Sequence, residues 1–167
     1  VTFTKTFSAV KAVKKAEISI TALGVYVLSV NGQRVSDFIL APGWTDYYNR
    51  LQYQTYDITS LLRLKNKIEA GVGQGWRFHG WYDQKNKNIK STQPALLAAI
   101  RLVYEDGEEE YIYTDSTWSV YPNRVTYNHI YNGETVDLAR RLPRARQAVP
   151  FSYTKDILIE QEGEHVV

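Results

Sequence analysis

The segment from residue 76 to residue 88 combines several aromatic rings with polar side chains over a short stretch of chain. An aromatic ring packs on the apolar face of a pyranose, while amide, carboxylate and cationic groups bind the sugar hydroxyls. We therefore take this segment as a candidate carbohydrate-binding site. Its residues are Trp76, Arg77, His79, Trp81, Tyr82, Asp83 and Asn86. The alternative is that Trp76 and Trp81 close one end of the fold or contact a neighbouring domain.

Oxygen ligands for calcium are present in the same segment, at Asp83, Asn86 and Asn88. Calcium prefers carboxylate, amide and backbone oxygens. However, this set contains a single carboxylate, its spacing is not that of an EF-hand, and Lys85 and Lys87 between the ligands repel a cation. We expect a solvated loop here and no cofactor, with calcium as the weaker alternative.

Glycoside hydrolysis requires two carboxyl groups that face each other across the scissile bond, one of them with a raised pKa. The candidates are Asp46, Asp57, Asp83, Glu134 and Asp137. Asp57 is better explained as a helix cap and Asp46 as a hydrogen-bond acceptor in a loop. Glu134 and Asp137 have odd spacing on a strand and so face opposite sides. The chain has no Cys, and its histidines are scattered. We expect no catalytic residues in it.

The charge balance gives no reason to expect a nucleic-acid or membrane partner, because Lys+Arg 20 against Asp+Glu 18 leaves a net charge of +2. A basic run, Arg140 to Arg146, contains Pro143, and arginines on such a Pro-containing crossover more often pair with carboxylates of an adjacent domain. The longest aliphatic run is too short to cross a bilayer. Because the chain contains no Met and starts at Val1, we expect a piece of a longer reading frame, of unknown compartment.

Alternating apolar and polar residues, rich in β-branched and aromatic types, dominate the chain and predict strands rather than helices. Asn31-Gly32 predicts a tight β-hairpin, since both turn positions need positive φ, and Glu105 to Gly107 marks a second hairpin. One helical turn is expected near residues 57–62. The sequence therefore predicts an all-β antiparallel β-sandwich of jelly-roll type, over residues 1–141, followed by a crossover and linker strand over residues 142–167.

A second aromatic set surrounds Pro42-Gly43 and consists of Trp44, Tyr47, Tyr48, Tyr53 and Tyr56. We expect most of these rings to clamp the Pro42-Gly43 loop against the sandwich, with their hydroxyls bonded to backbone groups. Tyr53 and Tyr56 are separated by an odd number of positions, so they need not share a face of their strand.

Several ordered blocks of this sequence resemble the N-terminal β-sandwich domain of bacterial α-L-rhamnosidases, a galactose-binding-like fold. The blocks are Ala16 to Tyr26, Val30 to Val35, Leu40 to Tyr47, Arg50 to Asp57, Gly73 to Trp76 and Ile130 to Asp137. The resemblance covers about residues 2 to 140, and Leu158 to Glu162 looks like the link into the next domain of that family.

The resemblance implies a modular, inverting glycoside hydrolase whose catalytic carboxylates lie in a helical barrel elsewhere in the longer chain. The N-terminal domain would then be an accessory unit that recognises rhamnosylated substrate, and some relatives bind rhamnose through calcium. After Trp76 this chain lacks the acidic Gly-Asp that the family commonly carries before the next strand. Two functions stay open: recognition of a rhamnose-containing glycoside, and structural docking against other domains of the same chain.

Overall fold

The computed structural model describes residues 1–47, 49–77 and 94–150, together with the backbone of residues 158–161. Strands and one 3₁₀ turn, Thr59–Leu61, make up its regular structure. The strands are β1 (Thr2–Ser8), β2 (Val13–Leu23), β3 (Val25–Val30), β4 (Gln33–Arg34), β5 (Arg50–Asp57), β6 (Lys65–Gly73), β7 (Ala95–Tyr104), β8 (Glu109–Tyr113), β9 (Ser119–Tyr121), β10 (Val125–His129), β11 (Gly133–Val136), β12 (Arg146–Gln147) and β13 (Leu158–Gln161).

Two sheets form the sandwich within the described residues. The first has six strands in the order β12-β9-β1-β6-β3-β4, and the second has five in the order β13-β5-β2-β7-β8, while β10 and β11 pair only with each other. The pairings are antiparallel, which confirms the predicted fold class, with one difference. Strand β13 runs parallel to β5, with Leu158 opposite Arg50. The predicted division at residue 141 stays a prediction, although β12 pairs with β9 of the first sheet.

The core fills the space between the sheets because apolar residues alternate along each strand. In β2 the even positions from Ala16 to Ala22 are buried and belong to the core cluster, as do Ile100 and Leu102 of β7. The ring of Trp118 is 1% exposed and its Nε1–H donates to the Tyr113 carbonyl at 3.0 Å. The odd positions of β2 and β7 therefore lie on the outer face of the five-stranded sheet.

Both predicted hairpins are present. Asn31 and Gly32 have φ of 52° and 81°, as a type I′ turn requires, and Val30 pairs with Gln33. In the second hairpin, β7 pairs with β8, and Gly107, with φ of 84°, donates its N–H to the Tyr104 carbonyl. The described residues contain no helix that is long and apolar enough to cross a membrane.

The helical turn forms where it was expected, but its cap differs from the prediction. Ile58, and not Asp57, occupies the N-cap position. The Asp57 carboxylate still accepts a hydrogen bond from the Thr59 N–H at 2.8 Å. The aliphatic side chain of Ile58 has no hydrogen-bond acceptor, so the residue before it supplies one.

Candidate functional site

Hydrogen bonds to two core residues, Tyr26 and Gln54, fasten the loop from Ala41 to Arg50, and a further bond within the loop braces it. The Tyr26 N–H donates to the Ala41 carbonyl at 2.7 Å, and the buried Gln54 side chain donates to the Pro42 carbonyl at 2.9 Å. The Tyr47 hydroxyl donates to the Gly43 carbonyl at 2.9 Å. The peptide bond between Ala41 and Pro42 is cis. These bonds confirm that Tyr47 clamps the Pro42-Gly43 loop.

Tyr53 and Tyr56 lie on opposite faces of β5, as their spacing allowed. Tyr56 is 3% exposed and lies in the core, where its hydroxyl is 3.2 Å from that of Tyr26. Burial raises the pKa of Tyr56. Trp44 departs from the expectation, because its side chain is 66% exposed rather than packed against the sandwich. Tyr48, which was assigned to the same clamp, lies outside the described residues.

A small apolar cluster joins this loop to the turn that follows β6. Leu23, Tyr47 and Leu51 are buried together, and Trp76 and Ala95 pack against them. Leu23 of β2 and Leu51 of β5 occupy outward positions of the five-stranded sheet, so the cluster covers one end of its outer face. The loop at residues 41–50 and the turn at residues 74–77 therefore meet at the same end of the sandwich.

Tight backbone packing fixes the turn that carries Trp76. Gly75 has φ of +60°, and a Cβ there would lie 2.7 Å from the Cγ1 atom of Val25. The Gln74 N–H donates to the Asn128 side-chain oxygen at 2.6 Å, which ties the turn to the β10–β11 hairpin. Gly75 thus allows the turn to approach Gly24 and Val25 more closely than a residue with a Cβ could.

The structure describes Trp76 and Arg77 among the predicted carbohydrate-binding residues. Trp76 is half-buried against the cluster, and Arg77 is 5% exposed. The remaining predicted residues lie outside the described part of the chain: His79, Trp81, Tyr82, Asp83 and Asn86. The candidate calcium ligands Asp83, Asn86 and Asn88 also lie outside the described residues. Their assignment stays a prediction.

The clamped loop also carries the polar residues Asp46, Asn49 and Arg50 at this end of the sandwich. The sequence did not place them in the predicted carbohydrate site. Asp46 accepts backbone hydrogen bonds through its carbonyl from Asn49 at 2.9 Å and Arg50 at 2.8 Å, and its carboxylate accepts from the Asn49 side chain. Arg50 Nε donates to the Thr45 hydroxyl at 3.2 Å. The spacing of Asp46, Asn49 and Arg50, which begins two residues after Trp44, is the sequence signal that could have revealed this group.

The fixed loop thus offers the exposed indole of Trp44, the carboxylate of Asp46 and the amide of Asn49. The neighbouring turn adds the half-buried indole of Trp76. Such a set suits the recognition of a pyranose, whose apolar face meets the aromatic ring and whose hydroxyls meet the polar groups. Loop and turn hydrogen bonds fix these groups before any ligand arrives, which lowers the ordering cost of binding.

Three of the carboxylates considered for hydrolysis, Asp46, Asp57 and Asp137, accept hydrogen bonds that shape local structure. Hydrogen bonds from the Thr59 hydroxyl and N–H lower the pKa of Asp57, whereas a glycosidic general acid needs a raised pKa. The Asp137 carboxylate accepts the Ala139 N–H at 3.0 Å and closes a turn. Glu134 is exposed on β11, opposite Asn128. Asp83 lies outside the described residues.

The fold places the chain among all-β sandwich domains of jelly-roll type. Residues 11–154 match the family described as the α-L-rhamnosidase N-terminal domain. The chain belongs to this family, which confirms the resemblance drawn from the sequence blocks.

The chain spans only a small part of the length of the relatives it matches. An α-L-rhamnosidase of Streptomyces avermitilis is 40% identical over 76% of this chain, which spans 12% of that enzyme. The crystal structure of an α-L-rhamnosidase from Aspergillus terreus matches 80% of the chain and 16% of its own length, with 39% identity and a TM-score of 0.72. A structure of the Streptomyces avermitilis α-L-rhamnosidase complexed with L-rhamnose matches 88% of the chain and 16% of its own length, with 32% identity and a TM-score of 0.72.

These relatives come from a bacterium and a fungus, so family membership alone does not establish the expected bacterial origin.

Proposed function

We propose that this chain is a non-catalytic accessory domain of an α-L-rhamnosidase-type glycoside hydrolase and that it recognises a rhamnose-containing glycoside. The observation that carries the proposal is the meeting of the clamped loop and the Trp76 turn at one end of the sandwich. Exposed Trp44 and the Asp46 carboxylate belong to that loop, so aromatic and polar groups for one sugar stand on a rigid support.

Two comparisons support the choice of ligand and the absence of catalysis. The Streptomyces avermitilis relative has been crystallised with L-rhamnose, which makes this sugar the first ligand to test. The chain spans 12% of the length of an α-L-rhamnosidase from that organism, so most of such an enzyme lies elsewhere. We propose that the catalytic carboxylates lie there too, and that binding by this domain needs no metal.

The test is a calorimetric titration of the 167-residue chain with L-rhamnose, with and without calcium. Trp44→Ala and Asp46→Asn remove the exposed ring and the charge, and both are expected to weaken binding about tenfold or more. Asp46→Asn keeps an oxygen for the Asn49 side chain, so the loop should retain its fold. Tyr131→Ala is the matched control, because Tyr131 is 70% exposed, close to the 66% of Trp44, but lies on the β10–β11 hairpin.

Unchanged affinity in Trp44→Ala and Asp46→Asn, or no binding at millimolar sugar, contradicts the proposal. Binding that appears only with calcium contradicts the metal-free part of it. Turnover of an aryl rhamnoside by this chain would contradict the non-catalytic part.

A second function, docking against other domains of the same chain, is favoured by a run of apolar residues on the surface. Phe38, Ile39 and Leu40 are 37%, 68% and 41% exposed, and Leu40 has φ of +61°, a conformation that L-residues rarely adopt. The Phe38 N–H and carbonyl are hydrogen-bonded to Ser36 and Arg34, so the loop holds its apolar side chains in place. Adjacent exposed apolar side chains are typical of interaction surfaces.

Ile39→Ser separates docking from recognition. If the loop docks, the substitution lowers the melting temperature of an α-L-rhamnosidase chain that carries this domain but leaves that of the isolated 167-residue chain unchanged. An unchanged melting temperature in both contexts argues against docking through this loop.

A further inference from the structure

The outer face of the five-stranded sheet carries a row of small side chains bordered by tyrosines. Across the sheet, Tyr113 of β8 pairs with Ala99 of β7, Ala99 pairs with Ser19 of β2, and Ser19 pairs with Thr55 of β5. The Ser19 and Thr55 hydroxyls are 2.8 Å apart. Because neighbouring strands lie about 4.8 Å apart, this row is about 15 Å wide.

Taller side chains stand on both sides of the row. Tyr111 and Tyr113 project from β8, and Tyr53, two residues before Thr55, projects from β5 on the same face. We call this surface the outer trough. It consists of Ser19, Tyr53, Thr55, Ala99, Tyr111 and Tyr113. Small residues between aromatic ones leave a shallow depression with hydroxyls on its floor.

The tyrosine pair that borders the outer trough is held in place before any ligand binds. The rings of Tyr111 and Tyr113 have centroids 6.0 Å apart and planes 8° apart, with the side chains 48% and 59% exposed. The Tyr111 hydroxyl donates to the Glu109 carboxylate at 2.9 Å, and Arg101 donates to both Glu109 and Glu17. Hydrogen bonding to Glu109 raises the pKa of Tyr111 and keeps its hydroxyl protonated.

The outer trough leads along the sheet to the candidate site. From Ala99 and Ser19, the next outward positions are Leu97, which is 50% exposed, and Thr21, whose hydroxyl donates to the Gln52 carbonyl at 2.5 Å. The positions after these are Ala95 and Leu23, which belong to the cluster that holds Trp76. Thr21 is 2% exposed and therefore covered, whereas Leu97 is open, so the exposed surface that connects the two places runs over Leu97 of β7.

We infer that the outer trough binds the sugar residues that precede the terminal one, so that the domain recognises an extended glycan chain rather than a monosaccharide. This inference rests on the proposed function. Its chemistry is that of carbohydrate recognition: aromatic rings for the apolar faces of pyranoses, and hydroxyls and an ion-paired Arg for their hydroxyl groups. A protein partner would be expected to meet a more apolar centre than a floor of Ser, Thr and Ala.

The experiment compares L-rhamnose with a tetrasaccharide of α-linked L-rhamnose on the full 167-residue chain, by calorimetry and by amide chemical shifts. The tetrasaccharide is expected to bind about tenfold more tightly and to shift the amides of β7 and β8, whereas L-rhamnose shifts neither strand. Tyr113→Ala removes a ring from the trough, and Ala99→Gln fills its floor. Each substitution should abolish the tighter binding of the tetrasaccharide. Tyr113→Phe should retain it.

Tyr127→Ala is the control, because Tyr127 is 43% exposed on the separate β10–β11 hairpin and its loss should change neither affinity. A tetrasaccharide that leaves β7 and β8 unshifted overturns the inference, whatever L-rhamnose does at the other site. L-rhamnose binding with no gain for the tetrasaccharide overturns the trough but leaves the proposed function intact. Trough shifts without L-rhamnose binding overturn recognition at the clamped loop and the Trp76 turn, and with it the extension of that site into the trough.

Discussion

Replacing Gln54 with Leu tests the link between the core and the candidate site. Gln54 is 1% exposed, its Oε1 accepts the Tyr26 hydroxyl at 2.6 Å, and its Nε2 donates to the Pro42 carbonyl at 2.9 Å. Leu has a similar volume, so the substitution removes two hydrogen bonds without a large cavity. It deprives the Pro42 carbonyl of this donor and the Tyr26 hydroxyl of this acceptor.

Loss of a partner for a buried polar group costs about 1–3 kcal/mol, so we expect Gln54→Leu to reduce the free energy of unfolding by about 2–4 kcal/mol. In a domain of this size that corresponds to a fall of about 4–16 °C in melting temperature. The loop should also loosen, and the Tyr26 amide, which donates to the Ala41 carbonyl, should exchange with solvent faster.

Calorimetric melting and amide hydrogen exchange measure the two effects. Tyr56→Phe is the matched control, because it removes a longer 3.2 Å contact in the same network but leaves both Gln54 hydrogen bonds in place. A Gln54→Leu protein that has the melting temperature of the wild type, and whose Tyr26 amide exchanges no faster, would refute the role of Gln54 in holding the loop.

Two further predictions concern local structure near the site. Gly75→Ala should lower the free energy of unfolding in urea by about 2 kcal/mol or more, because its Cβ would lie 2.7 Å from Val25, whereas Gly133→Ala, with φ of +75° and open space, should cost about 1 kcal/mol. Equal losses of unfolding free energy in the two variants would refute the close approach of Gly75 to Val25. Asp57→Ala should lower the melting temperature at pH 7 but have less effect at pH 3. Folding lowers the pKa of Asp57, so its carboxylate stabilises the fold above the ordinary pKa of 3.8, and this stabilisation is lost as the pH falls through the pKa of the folded state. A pH-independent difference would contradict this.

Local chemistry explains why much of the fold could be predicted. Asn31-Gly32 dictates its own turn, and the alternation in β2 and β7 separates the core face from the outer face. The parallel pairing of β13 with β5 could not be predicted, because it depends on which sheet edge is open after a long crossover.

The candidate site was predicted less completely. The sequence drew attention to Trp76, but its contacts come from Leu23 and Leu51 on other strands, and only the sheet order brings these together. Asp46 was taken as a loop acceptor, and its carboxylate does accept the Asn49 amide. Its proximity to the Trp76 turn depends on Tyr47, whose burial on the outer face no local pattern shows.

The most direct test of the central claim is a two-dimensional amide NMR titration of the chain with methyl α-L-rhamnoside. We predict saturable shifts for residues 44–50 and 74–77, and none for the β10–β11 hairpin beyond Asn128, which touches Gln74. A spectrum that is unchanged at millimolar glycoside, or shifts confined to other surfaces, would contradict recognition at this end of the sandwich.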